Sequence, residues 1–381
     1  MIYFDNNATT PIAPEAFAAM QPYLAEFYGN PSSAHTFGRA ARQAIEQARE
    51  QLAALIGADS ASEIVFTSGG TEADNWAIFG ALRINPEKRH LVTTRVEHEA
   101  VRKLGERLAE KNYEVTWLEV DENGFLDLDE LKNSLRPDTA IVSVMLANNE
   151  TGILFPVEKI ARIVKGNSDA LFHTDGVNAV GKIPIDLKKT EIDLFSLSGH
   201  KFHAPKGVGA LYIKRGVNLP AFFTGGNQEN ARRAGTEAVH QIVGLGAAAQ
   251  LAADFSAMEK VRTLRDRLED GIFQKIPNAK LNGTADKTSR LPNTSNISFP
   301  NLNGEAILAR LDDAGVYVST GSACNAENHT ASAVLQAMNV PYRDAMGAIR
   351  FSLGRYNTET EVDFVLERLV SITIDLNSMS L

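Results

Sequence analysis

The chain predicts an α/β fold built on a mainly parallel sheet, and three observations predict it. Short β-branched or apolar runs recur at residues 63–67, 90–94, 114–118, 140–145, 170–174, 194–198 and 209–213. Segments with helical periodicity separate several of them, as at 71–82, 100–111 and 157–165. Polar residues and glycines gather where the runs end. Alternation of this kind puts helices on both faces of a sheet and a ligand at the carboxyl ends of its strands.

At 381 residues the chain exceeds the roughly 250–300 at which single cores stop growing, so a large and a smaller domain are expected. The boundaries fall at 12–256 for the large domain, with 1–11 and 257–381 forming the small one. With 44% hydrophobic and 22% charged residues, both can be packed. The net charge of −9 argues against a general nucleic-acid binder, which needs clustered Lys and Arg. No apolar run approaches the ~18 residues that span a bilayer, and the first residues lack a basic region followed by an apolar one. These features lead to the expectation of a soluble, cytoplasmic protein without membrane contact. One cysteine, Cys324, allows no internal disulfide and no multi-cysteine metal site. It is either a small buried hydrophobe or a reactive thiol.

Taken in order, Asp5-Asn6-Asn7-Ala8-Thr9-Thr10-Pro11 is a polar, turn-rich stretch, and Pro14 opens a helix reaching about residue 27. A second polar loop follows at 28–33, then a helix at 40–56 with Gly57 as its C-cap. Residues 63–67 read as a strand, Ser68-Gly69-Gly70 as a tight loop, and 71–82 as a helix. Strand, glycine loop and helix N-terminus together offer unpaired N–H groups and the positive end of a dipole, which suits a phosphate. Gly70 and the Thr71 hydroxyl belong to that site. The spacing matches neither a dinucleotide loop nor a nucleotide-triphosphate loop, so a single phosphate fits better.

The remaining strand ends supply Glu97-His98, Asn148-Asn149-Glu150, Asp175 and the run Ser198-Gly199-His200-Lys201. Each has a plainer reading: a helix-cap histidine, a turn, a cap carboxylate, a solvated lysine. Chemistry favours the alternative. A desolvated lysine beside other cations becomes an amine able to condense with an aldehyde. An amine of that kind, a carboxylate that keeps a pyridine nitrogen protonated, a phosphate loop and an imidazole together suit pyridoxal phosphate.

The last third reads as the smaller α+β domain. Residues 239–275 are a long, largely helical stretch bridging out of the large domain, 295–299 and 315–319 are strand-like, and 305–312 and 361–374 are helical. Between them Thr320-Gly321-Ser322-Ala323-Cys324-Asn325-Ala326-Glu327-Asn328-His329 is small and polar, a composition that suits a mobile loop. Such neighbours are not core-formers, which favours the reactive reading of Cys324.

Across essentially its whole length the chain resembles the cysteine desulfurases, pyridoxal phosphate enzymes of the aspartate-aminotransferase-like fold (fold type I) in the class-V aminotransferase group. Ser198-Gly199-His200-Lys201 and Gly321-Ser322-Ala323-Cys324 are the most specific matches, and the similarity extends from Phe4 through Ile349-Arg350-Phe351-Ser352-Leu353-Gly354-Arg355. The resemblance implies a large domain with a seven-stranded, mainly parallel sheet. It makes Lys201 the lysine bonded to the cofactor, Asp175 the partner of the pyridine nitrogen and His98 the group stacked on the ring. Thr71, Ser198 and His200 hold the phosphate, and Thr236 reaches the phosphate of a neighbouring subunit, which implies a homodimer. Asn149 contacts cofactor and substrate, and Arg350 binds the carboxylate of L-cysteine. Cys324 carries the sulfur as a persulfide, leaving alanine, and serves as a transient iron–sulfur ligand shared with a scaffold partner; no intrinsic metal site is implied. The sulfur goes to an iron–sulfur scaffold or another acceptor, such as a tRNA-thiolation relay.

The match departs in three places. Asn178 stands where relatives carry a Gln that bonds the cofactor's phenolic oxygen, Ala234 replaces a Ser, and Thr330-Ala331-Ser332 replaces Glu-Pro-Ser. Two alternatives stay open at this point: an aminotransferase or lyase that does not need Cys324, and a non-catalytic binding protein on the same scaffold.

Overall fold

The computed structural model describes residues 1–320 and 330–379. The chain runs β1 (Ile2–Tyr3), α1 (Pro14–Ala25), α2 (Thr36–Leu55), β2 (Ile64–Thr67), α3 (Gly70–Ile84), β3 (His90–Thr94), α4 (Glu99–Ala109), β4 (Glu114–Leu118), α5 (Leu128–Ser134), β5 (Thr139–Ser143), α6 (Val157–Asn167), β6 (Leu171–Asp175), β7 (Leu194–Ser198) and β8 (Gly209–Ile213). It continues through α7 (Val239–Ala252), α8 (Ser256–Lys275), β9 (Lys280–Leu281), β10 (Thr294–Ser298), α9 (Gly304–Asp313), β11 (Val316–Tyr317), α10 (Ala333–Ala337), α11 (Tyr342–Ala345), β12 (Ala348–Ser352) and α12 (Glu359–Met379).

Seven strands form one sheet in the order β2-β8-β7-β6-β5-β3-β4. Five of them, from β4 to β7, are mutually parallel, while β8 runs antiparallel to both β7 and β2. Strands β3, β5, β7 and β8 are buried along their whole length, which is why they read as near-continuous apolar or small runs. The edge strand β4 is the exception, with Glu114 exposed and Leu118 buried.

Helices cover both faces. On one side α2 buries Ala41, Ile45, Ala48 and Leu52, a stripe at helical spacing, against α7. The two helices approach so closely that a Cβ on Gly246 would lie 2.7 Å from the Cα of Ala48. On the other side Trp76 of α3 and Leu104 and Leu108 of α4 pack with Leu91 and Ile141. A separate core gathers Phe4, Val261, Leu264, Leu268, Ile297, Phe351 and Leu369 around the antiparallel sheet β12-β10-β9. Among the described residues no helix is long and apolar enough to cross a membrane.

The structure corrects the sequence reading in several elements. The stretch 239–275 is two helices, broken at 253–255 because Asp254 Oδ1 accepts from Ser256 N (3.1 Å) and Oγ (2.6 Å), a turn that competes with the helix. Helix α2 starts at Thr36 rather than 40, since the His35 side chain caps it by accepting from Gly38 N at 3.1 Å. The strand expected at 315–319 shrinks to Val316–Tyr317, where it pairs with the two-residue β1. Strand β12 was not foreseen, because the buried Arg350 interrupts its apolar pattern.

Candidate active site

A cavity of about 630 Å³ opens at the carboxyl ends of β6 and β7. It is lined by the first turn of α3, the loop from Asn7 to Thr9, and Ser319, Thr320 and Arg350. At one end stand Ser68, Gly69, Gly70 and Thr71, with Ser198 against them, since a Cβ on Gly69 or Gly70 would lie 3.5 Å from its side chain, and His200 lines the same cavity. The backbones here are in close contact: a Cβ on Gly209 would lie 2.7 Å from the Cα of Gly69. Burial and the nearby lysines push the His200 imidazole down to about 4, so it is neutral, and its Nδ1 lies 3.2 Å from the Thr9 hydroxyl. A carboxylate, Glu72, stands in the first turn of α3, where it would repel a phosphate if left alone. Burial opposes its charged form, yet Arg233 (2.9 and 3.1 Å) and the Ser68 N–H (2.8 Å) hold it below the usual carboxylate range and occupy both its oxygens.

Lys201 ends the short turn that follows β7. Its Nζ donates to the carbonyls of Asn7 (2.5 Å) and Ala8 (3.1 Å). Asn7 is itself fixed by buried bonds from its Nδ2 to Asn149 O and Thr294 Oγ1. Asn178 also lines the cavity, and its Oδ1 accepts from a buried lysine, Lys182, at 3.3 Å.

Asp175 closes β6, and the residue after it has to be glycine: a Cβ on Gly176 would lie 1.9 Å from the Phe195 ring. Asp175 Oδ1 accepts from Val177 N at 2.8 Å, so the carboxylate caps a turn as well as lining the cavity. Burial raises its pKa, against the opposing pull of His98 and Lys201. A cation placed against it is therefore what keeps it ionised. His98 caps α4 by accepting from Ala100 N at its Nδ1 (3.2 Å). Burial, then Lys201, lowers its pKa, and the cap fixes the hydrogen on Nε2. Nε2 accepts a proton only after the ring switches tautomer and releases the cap.

Beneath this layer lies a set that the sequence did not bring together. His173 has its Nδ1 2.8 Å from Ser143 Oγ and its Nε2 2.9 Å from Ser196 Oγ. Burial depresses it to about 3. Asp74 and Glu97 are both buried with one oxygen unpartnered among the described residues, and burial raises the first well above the usual range and the second to about 8. Burial disfavours the charged form of all three buried carboxyls, and of the three Asp175 is the one that His98 and Lys201 pull the other way.

From β12, Arg350 reaches the cavity with its guanidinium 2.7 Å from Asp5 Oδ1 and 3.1 Å from Asn149 O, while its buried Nε has no partner among the described residues. The Asp5 pairing was invisible in the sequence, since the two residues are 345 positions apart. Glu150 lines the same side; burial lifts it to about 7, and Ser332 Oγ donates to it at 2.5 Å.

Gly70, Thr71, His98, Asn149, Asp175, Asn178, Ser198, His200, Lys201 and Arg350 thus line one cavity. Thr236 does not: it borders a smaller hollow of about 80 Å³ with Thr67, Gly207 and Arg233. Cys324 lies outside the described residues, although Thr320, four positions before it, lines the main cavity. Neutral donors at a helix N-terminus, an amine in reach of the opening, a desolvated carboxylate that needs a cation and an unsatisfied guanidinium N–H fit a phosphorylated pyridine aldehyde and an amino-acid carboxylate.

The sequence matches the family described as Aminotransferase class-V over residues 2–365. It is 53% identical to a cysteine desulfurase of Trichormus azollae, covering 100% of this chain and 94% of that protein. It is 48% identical, with the same coverage, to the cysteine desulfurase NifS of Azotobacter vinelandii. Among solved structures a NifS-like protein superposes with a TM-score of 0.92 at 41% identity, covering 98% of this chain and 100% of the other. A structure described as SspA in complex with cysteine gives 0.82 at 33%, covering 94% and 100%.

Proposed function

This chain belongs to the class-V aminotransferase family as a pyridoxal phosphate-dependent cysteine desulfurase, and on that premise we propose that the sulfur of L-cysteine leaves as a persulfide on Cys324. When bound, pyridoxal phosphate supplies an aldehyde that condenses with amines and a protonated ring that takes up the electron pair released at the substrate's Cα. Thr71, Ser198, His200 and the N–H groups opening α3 hold the phosphate, and Asp175 keeps the proton on the ring nitrogen. Asn149 borders cofactor and substrate. Arg350 grips the substrate carboxylate through the N–H groups that Asp5 leaves free.

Lys201 takes the Cα proton. The Cys324 thiol gives its proton to Nε2 of His98 once that ring has switched tautomer, and the thiolate attacks the substrate's sulfur. A sulfur–sulfur bond forms, the Cβ–sulfur bond breaks and its electron pair stays with the carbon skeleton; the protons held by His98 and Lys201 then return to Cβ and Cα, and alanine leaves. Four residues span at most about 14 Å, so attachment at Thr320 keeps the thiol within chain reach of the cavity.

The observation that carries this reading is the meeting of Lys201, Asp175, His98 and Arg350 in one cavity bordered by Thr320. We further read residues 12–256 and the remainder as the two domains, in keeping with the separate core around Phe351. A homodimer is supported by the place of Thr236 outside its own chain's cavity and by the exposed apolar residues Phe17, Leu24, Phe27 and Tyr28. A thiol that must stay reduced suits the cytoplasm, and an iron–sulfur scaffold or another acceptor takes the sulfur.

Mass spectrometry of the cysteine-treated protein tests the proposal, with one added sulfur expected on the peptide containing Cys324. Cys324→Ser should bind substrate and change colour once yet release no sulfur. An unmodified peptide together with near-normal sulfide release from the Ser variant overturns the role of Cys324.

A further inference from the structure

Lys182 has no part in the chemistry above, yet it is 6% exposed and sits directly behind the cavity wall. Its Nζ donates to Asn7 Oδ1 at 2.8 Å and to Asn178 Oδ1 at 3.3 Å. These partners are amide oxygens rather than carboxylates. Burial, then the charges of Lys201 and Arg350, press its pKa well below the ordinary lysine value. Keeping such a group buried is costly, and an apolar side chain of similar length would fill the space.

The amide orientations follow from what each partner can do. Asn7 Nδ2 donates to a carbonyl, Asn149 O, at 3.1 Å, which leaves Oδ1 as the atom facing Lys182. That oxygen also accepts from Asn293 Nδ2 at 3.0 Å. Lys182 Nζ donates to Asn178 as well, so the Asn178 atom turned toward it is its oxygen. The Nδ2 of Asn178 is then the end left for the cavity that this residue lines.

We propose that Lys182 is a positioning residue for cofactor binding: by holding Asn178 Oδ1 it aims Asn178 Nδ2 into the cavity as a hydrogen-bond donor for the phenolic oxygen of pyridoxal phosphate. Asn7, whose carbonyl receives Lys201, is held independently by Asn149 O, Thr294 Oγ1 and Asn293 Nδ2, so it stays in place without Lys182. The shorter Asn serves here because its amide is clamped. This rests on reading the cavity as the cofactor site.

Titrating cofactor-free protein with pyridoxal phosphate, followed by absorbance, separates the possibilities. Lys182→Met and Asn178→Ala should each weaken binding roughly five- to tenfold, the worth of one hydrogen bond, and shift the visible band. The double variant should bind no more weakly than Asn178→Ala, because the two residues act through one bond. Asn178→Asp keeps an oxygen for Lys182 but loses the donor, and should match Asn178→Ala; it decides the matter alone if Lys182→Met does not fold. Variants that bind within about twofold of wild type, or losses that add in the double variant, overturn the proposal. So does a Lys182→Met protein that only melts earlier, with affinity and band unmoved. Wild type that takes up no cofactor instead refutes the reading of the cavity.

Discussion

Replacing Arg350 by lysine tests the substrate grip most directly, because the charge survives while the fork is lost. The guanidinium spends one N–H on Asp5 and one on the Asn149 carbonyl, at 2.7 and 3.1 Å, and keeps a buried Nε–H for a ligand. An ammonium at this place pairs with Asp5 but has no planar fork to serve a carboxylate as well. One charge-assisted hydrogen bond is worth roughly 1.5–3 kcal/mol, so kcat/KM for L-cysteine should fall about ten- to 150-fold. Most of the loss should appear in KM, since the carboxylate is bound alike before and during reaction. Sulfide release is the assay, run with L-cysteine and with cysteamine, which lacks the carboxylate. Wild type and variant should turn over cysteamine at similar rates. A variant within about threefold of wild type on L-cysteine, or one equally crippled on both substrates, would show that Arg350 does not read the carboxylate.

Lys201→Ala should abolish the visible absorbance of bound cofactor; a variant that keeps that band in reducible form removes Lys201 from its assigned role. Asp175→Ala should lower turnover while retaining some cofactor, because the carboxylate tunes the ring and the phosphate is held elsewhere, and unchanged turnover argues against it. Glu97→Gln reports on the buried acids. The folded carboxyl is raised from its ordinary value to about 8, so its contribution is complete below about pH 4.5 and is lost as pH climbs through 8. Melting of the cofactor-free protein should therefore show wild type falling behind Glu97→Gln between pH 5 and 8, by an amount on the order of 4 kcal/mol at the upper end. Parallel curves would mean that Glu97 is ionised when folded.

The sequence by itself determined the α/β alternation, the strand ends where polar residues gather and the cofactor class, because these are local matters. A buried strand needs a continuous apolar run, a phosphate loop needs glycines before a helix, and an amine needs a lysine at a strand end. Lys201, Asp175 and Thr71 could be picked out because each is announced by its neighbours in the chain. What local pattern could not announce was pairing across distance. Asp5 shares the guanidinium of Arg350, Arg233 neutralises Glu72, and Lys182 clamps Asn178, and only folding sets those partners side by side. Two of the elements misread have the same origin. Strand β12 hides behind a buried arginine whose cost is met by Asp5 and Asn149, and the strand at β11 is short because the partner it pairs with among the described residues is the two-residue β1. Periodicity records which face of an element is buried, whereas the charge balance of a site is decided largely by groups from separate elements, as with Asp5 and Arg350, and tertiary structure alone brings those within a few ångströms.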